Sequence, residues 1–543
     1  MENLFMKAIG KNDVLTENGA ISNSSTGMAI VDQFGKAGNY MGRNIKDVFK
    51  DQKTIWKENV INALRFPFYL RLISRTIKIN DGFITDKVQH GQGLRDESFK
   101  RLLWIAKNHK EQFYNNLWCL PIVGSWKDLF QMMFYDVEFE TNCLDRKIFF
   151  QLLKEGLSYE EHSELIKKFM PRIKSKSKLT TNWTKVMNDI AKEFAKFMNW
   201  DNKTYNKFKS SGTAHEFQKQ ICGGMYKNIN WNKIPGRALN LLVSSKFLEN
   251  HNLVESYSEW LDKQPVAKYT GYVYELAMAY KNSFKNSFKN NKIPLYKSKT
   301  LDKQFDSLIE TAQKDSIIKE NVWCALDTSG SMGWTFNGKV TAMDICLSLG
   351  VYFSTLNKGA FHKNVIMFDN KSYVKQLNGS FTEMLSQIPM NAMGGTNFQS
   401  VVDEICNIRL SHRDIPLEDY PTTLLIVSDM QFNPSNNPYS KVSDRSITTN
   451  YKEMKNKLYS VFPKKFVDSM KFIWWDVTSR KNDFPARIED GGCYMISGFD
   501  GSIVNLILGE DKTKKEVEKQ TKTMEEMVEE ALTQEILMQI SLY

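Results

Sequence analysis

The 543-residue chain has no uncharged apolar run of the roughly eighteen residues or more that a membrane-spanning helix requires. Its opening, MENLFMKAIGKND, lacks the apolar stretch of a secretory signal, so neither a membrane segment nor export is expected. Cysteine is sparse. Cys119, Cys143, Cys222, Cys324, Cys346, Cys406 and Cys493 are scattered without a CxxC pair, which fits buried free thiols in a reducing compartment. No HExxH, Walker loop or nucleophile elbow occurs, and the seven histidines are dispersed. Hydrolase chemistry therefore has no visible carrier, and the expectation is a protein that binds rather than catalyses.

Acidic residues are also scarce in one stretch. Between Leu165 and Gly212 they are Asp189, Glu193 and Asp201 alone, against Lys167, Lys168, Arg172, Lys174, Lys176, Lys178, Lys185 and further lysines as far as Lys209. The formal net charge of +11 is concentrated there, and it suits a polyanionic partner. Trp183, Phe194, Phe197, Trp200, Tyr205 and Phe208 are interleaved with these cations. Stacking surfaces beside phosphate-neutralising charge are what single-stranded nucleic acid requires, although aromatics at helical spacing also serve as core.

Apolar and charged fractions of 42% and 25% are those of an ordinary globular protein, and the length implies two to four domains. Residues 1–40 are polar and rich in Gly, Asn and Ser, and are expected to form an N-terminal arm, either extended or a loosely packed lead-in. From 41 to 280 the periodicity is helical. Trp56, Val60, Ala63, Leu64 and Pro67 suit one helix ending at the proline, and GLRDESFKRLLWIAKNHKEQF places Phe99, Leu102, Leu103 and Ala106 on one face. Helix and turn then recur, predicting stacked helical pairs. Residues 281–315 are read as a basic linker with a lead-in helix, and 510–543 as a C-terminal helix whose Leu532, Ile536, Leu537 and Ile540 dock on a neighbour. Between 316 and 509 strands alternate with helices, the pattern of a parallel α/β sheet. Strands are expected at 322–327, 364–368, 373–377, 423–428, 471–477 and 493–496, with helices near 340–356, 380–388, 397–408, 448–461 and 500–508.

The motif-bearing stretch is NVWCALDTSGSMG, 321–333. An apolar run without a breaker ends in Asp327, Ser329 and Ser331 within a turn opened by Gly330 and Gly333. Small oxygen side chains at the carboxyl end of a buried strand can converge on a hard cation, Mg²⁺ or else Mn²⁺ or Ca²⁺. Thr396, after Gly394 and Gly395, and Asp429, ending the run TTLLIVS, supply two further hard oxygens at element edges.

Asp-x-Ser-x-Ser, then Thr, then Asp, resembles the metal-ion-dependent adhesion site (MIDAS) of von Willebrand factor A domains. The resemblance implies Ser329, Ser331 and Thr396 as direct ligands of Mg²⁺, with Asp327 and Asp429 acting through water. A partner carboxylate would complete the coordination. Together with GLRDESFKRLLWIA, NLWCLPIVGSWKDLF, MPRIKSKSK, INWNKIPGRAL, GGTNFQ, SDMQF and ISGF, these residues resemble the Ro autoantigen family. In that family a TROVE ring of HEAT-like helical repeats precedes an α/β, Rossmann-like A domain. The closer resemblance is to an uncharacterised family of bacteria, phages and plants with the same plan. What the likeness to Ro implies is a cytoplasmic, non-catalytic protein that binds small non-coding or single-stranded RNA on a basic helical ring. The competing expectation is a metal-dependent protein-interaction or structural component, such as a phage virion part, that binds no RNA.

Overall fold

The two apolar runs that end in aspartate become neighbouring strands at the centre of one sheet. The computed structural model describes residues 14–40, 42–78, 85, 88–212, 220–221, 223–226, 229–285, 293–314, 320–336, 340–388, 393–435, 449–478, 483–499 and 521–543. Its strands in chain order are β1 (Val14–Leu15), β2 (Ile21–Ser22), β3 (Val322–Asp327), β4 (Thr335–Phe336), β5 (Val340–Thr341), β6 (Asn364–Phe368), β7 (Ser372–Gln376), β8 (Thr423–Ser428), β9 (Lys471–Asp476) and β10 (Cys493–Ser497). Six of them form a sheet in the order β10-β9-β8-β3-β6-β7, parallel throughout except for the β6–β7 pair. The other four form two small antiparallel hairpins.

Every residue of β3 and of β8 is buried. Successive side chains on a strand point to opposite faces, so both faces of the sheet are covered at its centre. Helix Ala342–Leu356 packs on β3, and helix Phe398–Ser411 packs on β6 and β7. From β3 the chain runs through the first of these helices to β6 on one side, then comes back to β8 on the other. The direction of winding therefore reverses between β3 and β8, which opens a crevice at their carboxyl ends.

The chain packs as two units, Met1–Tyr40 with Pro235–Glu529, and Met41–Ile234 with Glu530–Tyr543. Residues 14–40 thus pack with the sheet unit and not as the separate arm expected from their polarity, while 1–13 lie outside the described residues. Helix Ala29–Ala37 lies on β10, burying Ile30, Val31 and Phe34. Its Lys36 is buried as well, with Nζ 2.7 Å from Asp476 Oδ2. Helices Gly236–Ser244, Val254–Asp262, Val273–Lys285 and Leu295–Lys314 also pack within this unit, so the division falls at Pro235 rather than at 280. Phe305 stacks on Phe381 at 4.4 Å, and Lys281 pairs with Asp344 at 2.9 Å, fastening these helices to the sheet's own. Within the expected basic linker, 281–285 close one helix and 295–299 open the next, while 286–292 lie outside the described residues. The helix expected at 500–508 also lies outside them.

The second unit is helical. Ile45–Glu58 and Val60–Arg71 are two helices, divided at Asn59, whose side chain accepts a hydrogen bond from Asn62 N. Pro67 sits inside the second helix and does not end it. Arg95–Asn108 and Lys127–Glu138 carry the two most distinctive helical motifs, and their charged residues explain them. Asp128 accepts from Arg71 Nε at 2.8 Å, Arg95 Nε at 3.1 Å and Ser125 N at 2.8 Å. A Cβ on Gly124 would stand 2.1 Å from that carboxylate, so glycine is required there. Arg101, fully buried, pairs with Glu97 at 2.8 Å. At the chain's end Ile536, Leu537 and Ile540 are buried in this unit, where Gln534 Nε2 donates to His90 O at 2.8 Å. Among the described residues no helix is long and apolar enough to cross a membrane.

Candidate metal centre and nucleic-acid interface

Asp327 and Asp429 stand at and just beyond the ends of β3 and β8, at the crevice between the two strands. Asp327 is fully buried; its Oδ1 accepts from Ser329 N at 2.9 Å and its Oδ2 from Ser428 Oγ at 2.5 Å. Those bonds hold the turn that follows β3, and they set Ser329 Oγ 3.2 Å from Ser331 Oγ. The loop carrying Thr396 is drawn to the same turn, since Gly330 N donates to Gly394 O at 3.1 Å and Met393 N to Thr328 O at 3.0 Å. Gly394 has φ +81° and a Cβ there would crowd Asn370, so the loop depends on glycine at that point. Thr396 is 1% exposed. Met430, directly after Asp429, has φ +63° although it is not glycine, a strained conformation of the sort that concentrates at functional sites.

The donor set is hard: two buried carboxylates and three hydroxyls. Burial, and after it the charge of Asp429, push the Asp327 carboxyl up to about 7. Two anions that share a buried space without a cation resist ionisation, and a divalent ion would offset both the burial and the mutual repulsion. The residues present therefore fit Mg²⁺. Among the described residues no group of three or more His, Cys, Asp and Glu gathers as a soft or carboxylate-rich metal site would.

One contributor was missed in the sequence. In the β1–β2 turn, Asn18 Nδ2 donates to Gln431 O at 2.5 Å and reaches Thr396 Oγ1 at 3.4 Å, while Glu17 N donates to Gln431 Oε1 at 2.7 Å. Thr16 Oγ1 donates to Phe432 O at 2.7 Å. A residue 378 positions away in sequence thus touches a candidate ligand. Nothing in the local pattern of 14–22, two strands of two residues each, announces this.

In the helical unit, the seven basic residues singled out in sequence fall on helix Glu160–Phe169, the loop after it and helix Asn182–Phe197. Lys168, Arg172, Lys174, Lys176, Lys178 and Lys185 are exposed. None of these six has an ion-pair partner among the described residues. Lys167 differs, being held by Glu164 at 3.0 Å. Lys209 is buried, donates to Lys167 O, and is lowered to about 8 by burial and then by Arg172, so it adds nothing to an exposed cationic face. The aromatics divide in the same way. Phe194 and Tyr205 are core, whereas Trp183 is 38% exposed and rests edge-on against Phe134 at 4.4 Å.

The base of the loop is pinned. Ile173 N donates to Asn206 Oδ1 at 3.0 Å, Asn206 Nδ2 returns a bond to Ile173 O at 3.0 Å, and Lys174 N donates to Asn188 Oδ1 at 2.8 Å. Tyr205 Oη donates to Pro171 O at 3.0 Å. From Ser175 to Lys178 the loop then stands exposed around a short 3₁₀ turn.

A covered, mostly parallel sheet with hard oxygens at its switch point, and a helical unit with an exposed cationic loop, define the class: a two-unit helical and α/β protein. Residues 321–540 match the model of a family described as a domain of unknown function, DUF7788. The uncharacterized protein L728 of Acanthamoeba polyphaga mimivirus is 22% identical over 532 residues, which are 92% of this chain and 85% of that protein. Among solved structures, the RO (RSR) protein of Deinococcus radiodurans aligns with 89% of this chain and 98% of its own, at 10% identity and a TM-score of 0.43. A score of that size is too low to carry fold or function from one protein to the other.

Proposed function

We propose that the protein is a non-catalytic RNA-binding protein of Ro type. Its cationic loop and the helices beside it would track the phosphates of a single-stranded or small non-coding RNA in the cytoplasm. The observation that supports this reading best is the loop itself: Lys174, Lys176 and Lys178 are exposed and without an ion-pair partner among the described residues, on a base held by four hydrogen bonds. Like charges crowded on a fixed base repel one another, and a polyanion is the partner that turns this into binding energy. Lys167, Lys168, Arg172 and Lys185 extend the same surface.

In this reading the α/β part is an A-type domain. Asp327, Ser329, Ser331, Thr396 and Asp429 hold Mg²⁺, and a partner protein's carboxylate completes the coordination. The ion would supply a charge on which an acidic side chain docks. A metal-dependent protein-interaction component without RNA is the second reading, favoured by the burial of both carboxylates at the switch point.

Filter binding of single-stranded RNA at several salt concentrations separates the two. Affinity is expected to fall steeply with salt, by a log–log slope of about −0.7 for each phosphate neutralised. Replacing Lys174, Lys176 and Lys178 together by Ala is expected to flatten that slope by roughly two units while circular dichroism stays unchanged. Weak binding with the same slope in the triple variant would contradict the RNA reading and leave the metal-centred one.

A further inference from the structure

A cavity of about 220 Å³ opens under the cationic loop, between helix Lys127–Glu138 and helix Asn182–Phe197. Two kinds of group line it. Lys127, Arg172 and Lys174 bring positive charge, and among the described residues no carboxylate lines the cavity to balance them. Phe130, Phe169, Trp183 and Met187 bring flat or soft apolar surface. Lys127 has no ion-pair partner among the described residues. Burial, and beyond that the charges of Arg95 and Arg71, lower its pKa against the pull of Asp128.

Asn188 adds a third, independent feature. It lines the cavity, is 1% exposed, and its Nδ2 has no hydrogen-bond partner among the described residues. The orientation of its amide is settled by the chain, because Lys174 N requires an acceptor and takes Oδ1. The amide's donor end is therefore the unused one. A buried donor without a partner is unfavourable, so an acceptor atom delivered by a ligand would be bound with more than ordinary gain.

A ligand that suits all three features carries an anion, a flat ring and a ring acceptor. Phosphate or sulfate alone would leave the aromatic lining uncovered. We propose that this cavity seats a single nucleotide, its base against Trp183 with a ring acceptor on Asn188 Nδ2, and its phosphate on Lys127, Arg172 and Lys174. The proposal rests on the RNA-binding reading and sharpens it, for the seated nucleotide would be one unit of the bound strand. Trp183 is already braced by Phe134, and the residues from Pro171 to Lys174 are already pinned, so little ordering is needed on binding.

The test uses the full chain, a labelled single-stranded RNA of about ten nucleotides followed by fluorescence anisotropy, and adenosine or uridine monophosphate as competitors. Asn188→Asp keeps the acceptor for Lys174 N and removes the donor; Trp183→Ala removes the stacking face and Trp183→Phe restores one. The expected result is RNA binding weakened roughly tenfold or more by Asn188→Asp and by Trp183→Ala, near-native binding by Trp183→Phe, and competition by a mononucleotide in the unaltered protein. Should Asn188→Asp fail to fold, the Trp183 pair decides, because that side chain is partly exposed. Salt-sensitive RNA binding that is equal in all variants and indifferent to mononucleotide would overturn the pocket and leave the RNA reading standing. Mononucleotide bound at this site without RNA binding would do the reverse. Absence of both would overturn both, and equal displacement by a poly-glutamate peptide would reduce the cavity to an anion seat and overturn the nucleotide assignment.

Discussion

Lys36→Met is expected to destabilise the sheet unit by roughly 3–5 kcal/mol, close to the whole stability of many domains. Lys36 is 1% exposed; its Nζ lies 2.7 Å from Asp476 Oδ2 and 3.9 Å from Asp483 Oδ1, and 5.0 Å from the centre of the Phe484 ring. Asp476 ends β9, and its Oδ1 accepts from Thr478 N at 2.8 Å. Removing the ammonium leaves two buried carboxylates facing each other. Asp483 is already raised by burial, and Lys36 is the principal group holding it down. In the variant Asp483, freed from the pull of Lys36, would be raised further and take up a proton on folding, so the loss should be larger at pH 8 than at pH 5. Urea unfolding at the two pH values measures it. A loss below about 1 kcal/mol would mean that the pair is not the anchor of helix Ala29–Ala37 on the sheet.

The same residue shows where the sequence stopped being legible. In AIVDQFGKA a lysine occupies a buried position, so the apolar face is short and interrupted, and polarity alone reads as an arm. The central strands were legible for the opposite reason. VWCALD and TLLIVS are covered on both faces, which leaves continuous apolar runs with their ends marked by acids. The candidate metal residues could be picked out because each sits at such an end or on a glycine turn. Asn18 could not, since the contact it makes is set by the fold and not by its neighbours in the chain. In the basic segment, composition could not tell Lys174 from Lys209. One is exposed and the other is buried with its amine on a backbone carbonyl.

Asp327→Asn is expected to abolish stabilisation by Mg²⁺, which at a hundredfold excess over Kd amounts to about 2.7 kcal/mol for a single site. The pH dependence carries a definite sign. The folded-state carboxyl of Asp327 is raised to about 7 from the ordinary 3.8, so the folded protein holds a proton that the unfolded chain releases. Without metal, the contribution of this group to stability therefore falls as pH rises from about 4 to about 7. Mg²⁺ needs the charged form, so its stabilising effect should be small at pH 5 and full above pH 7. Thermal melts with and without Mg²⁺ across that range check both statements. Asparagine keeps an acceptor for Ser329 N and removes the charge, so a metal response unchanged in the variant would set the site aside.

RNA is expected to lie on the cationic loop of the helical unit. Ultraviolet crosslinking of the full protein to single-stranded RNA, followed by mass spectrometry of the crosslinked peptides, tests it most directly. Crosslinks are expected to concentrate in 165–212, with Trp183 among them, and to be lost when Lys174, Lys176 and Lys178 are replaced together. Crosslinks confined to the sheet unit, or none in a protein that still binds Mg²⁺, would contradict it.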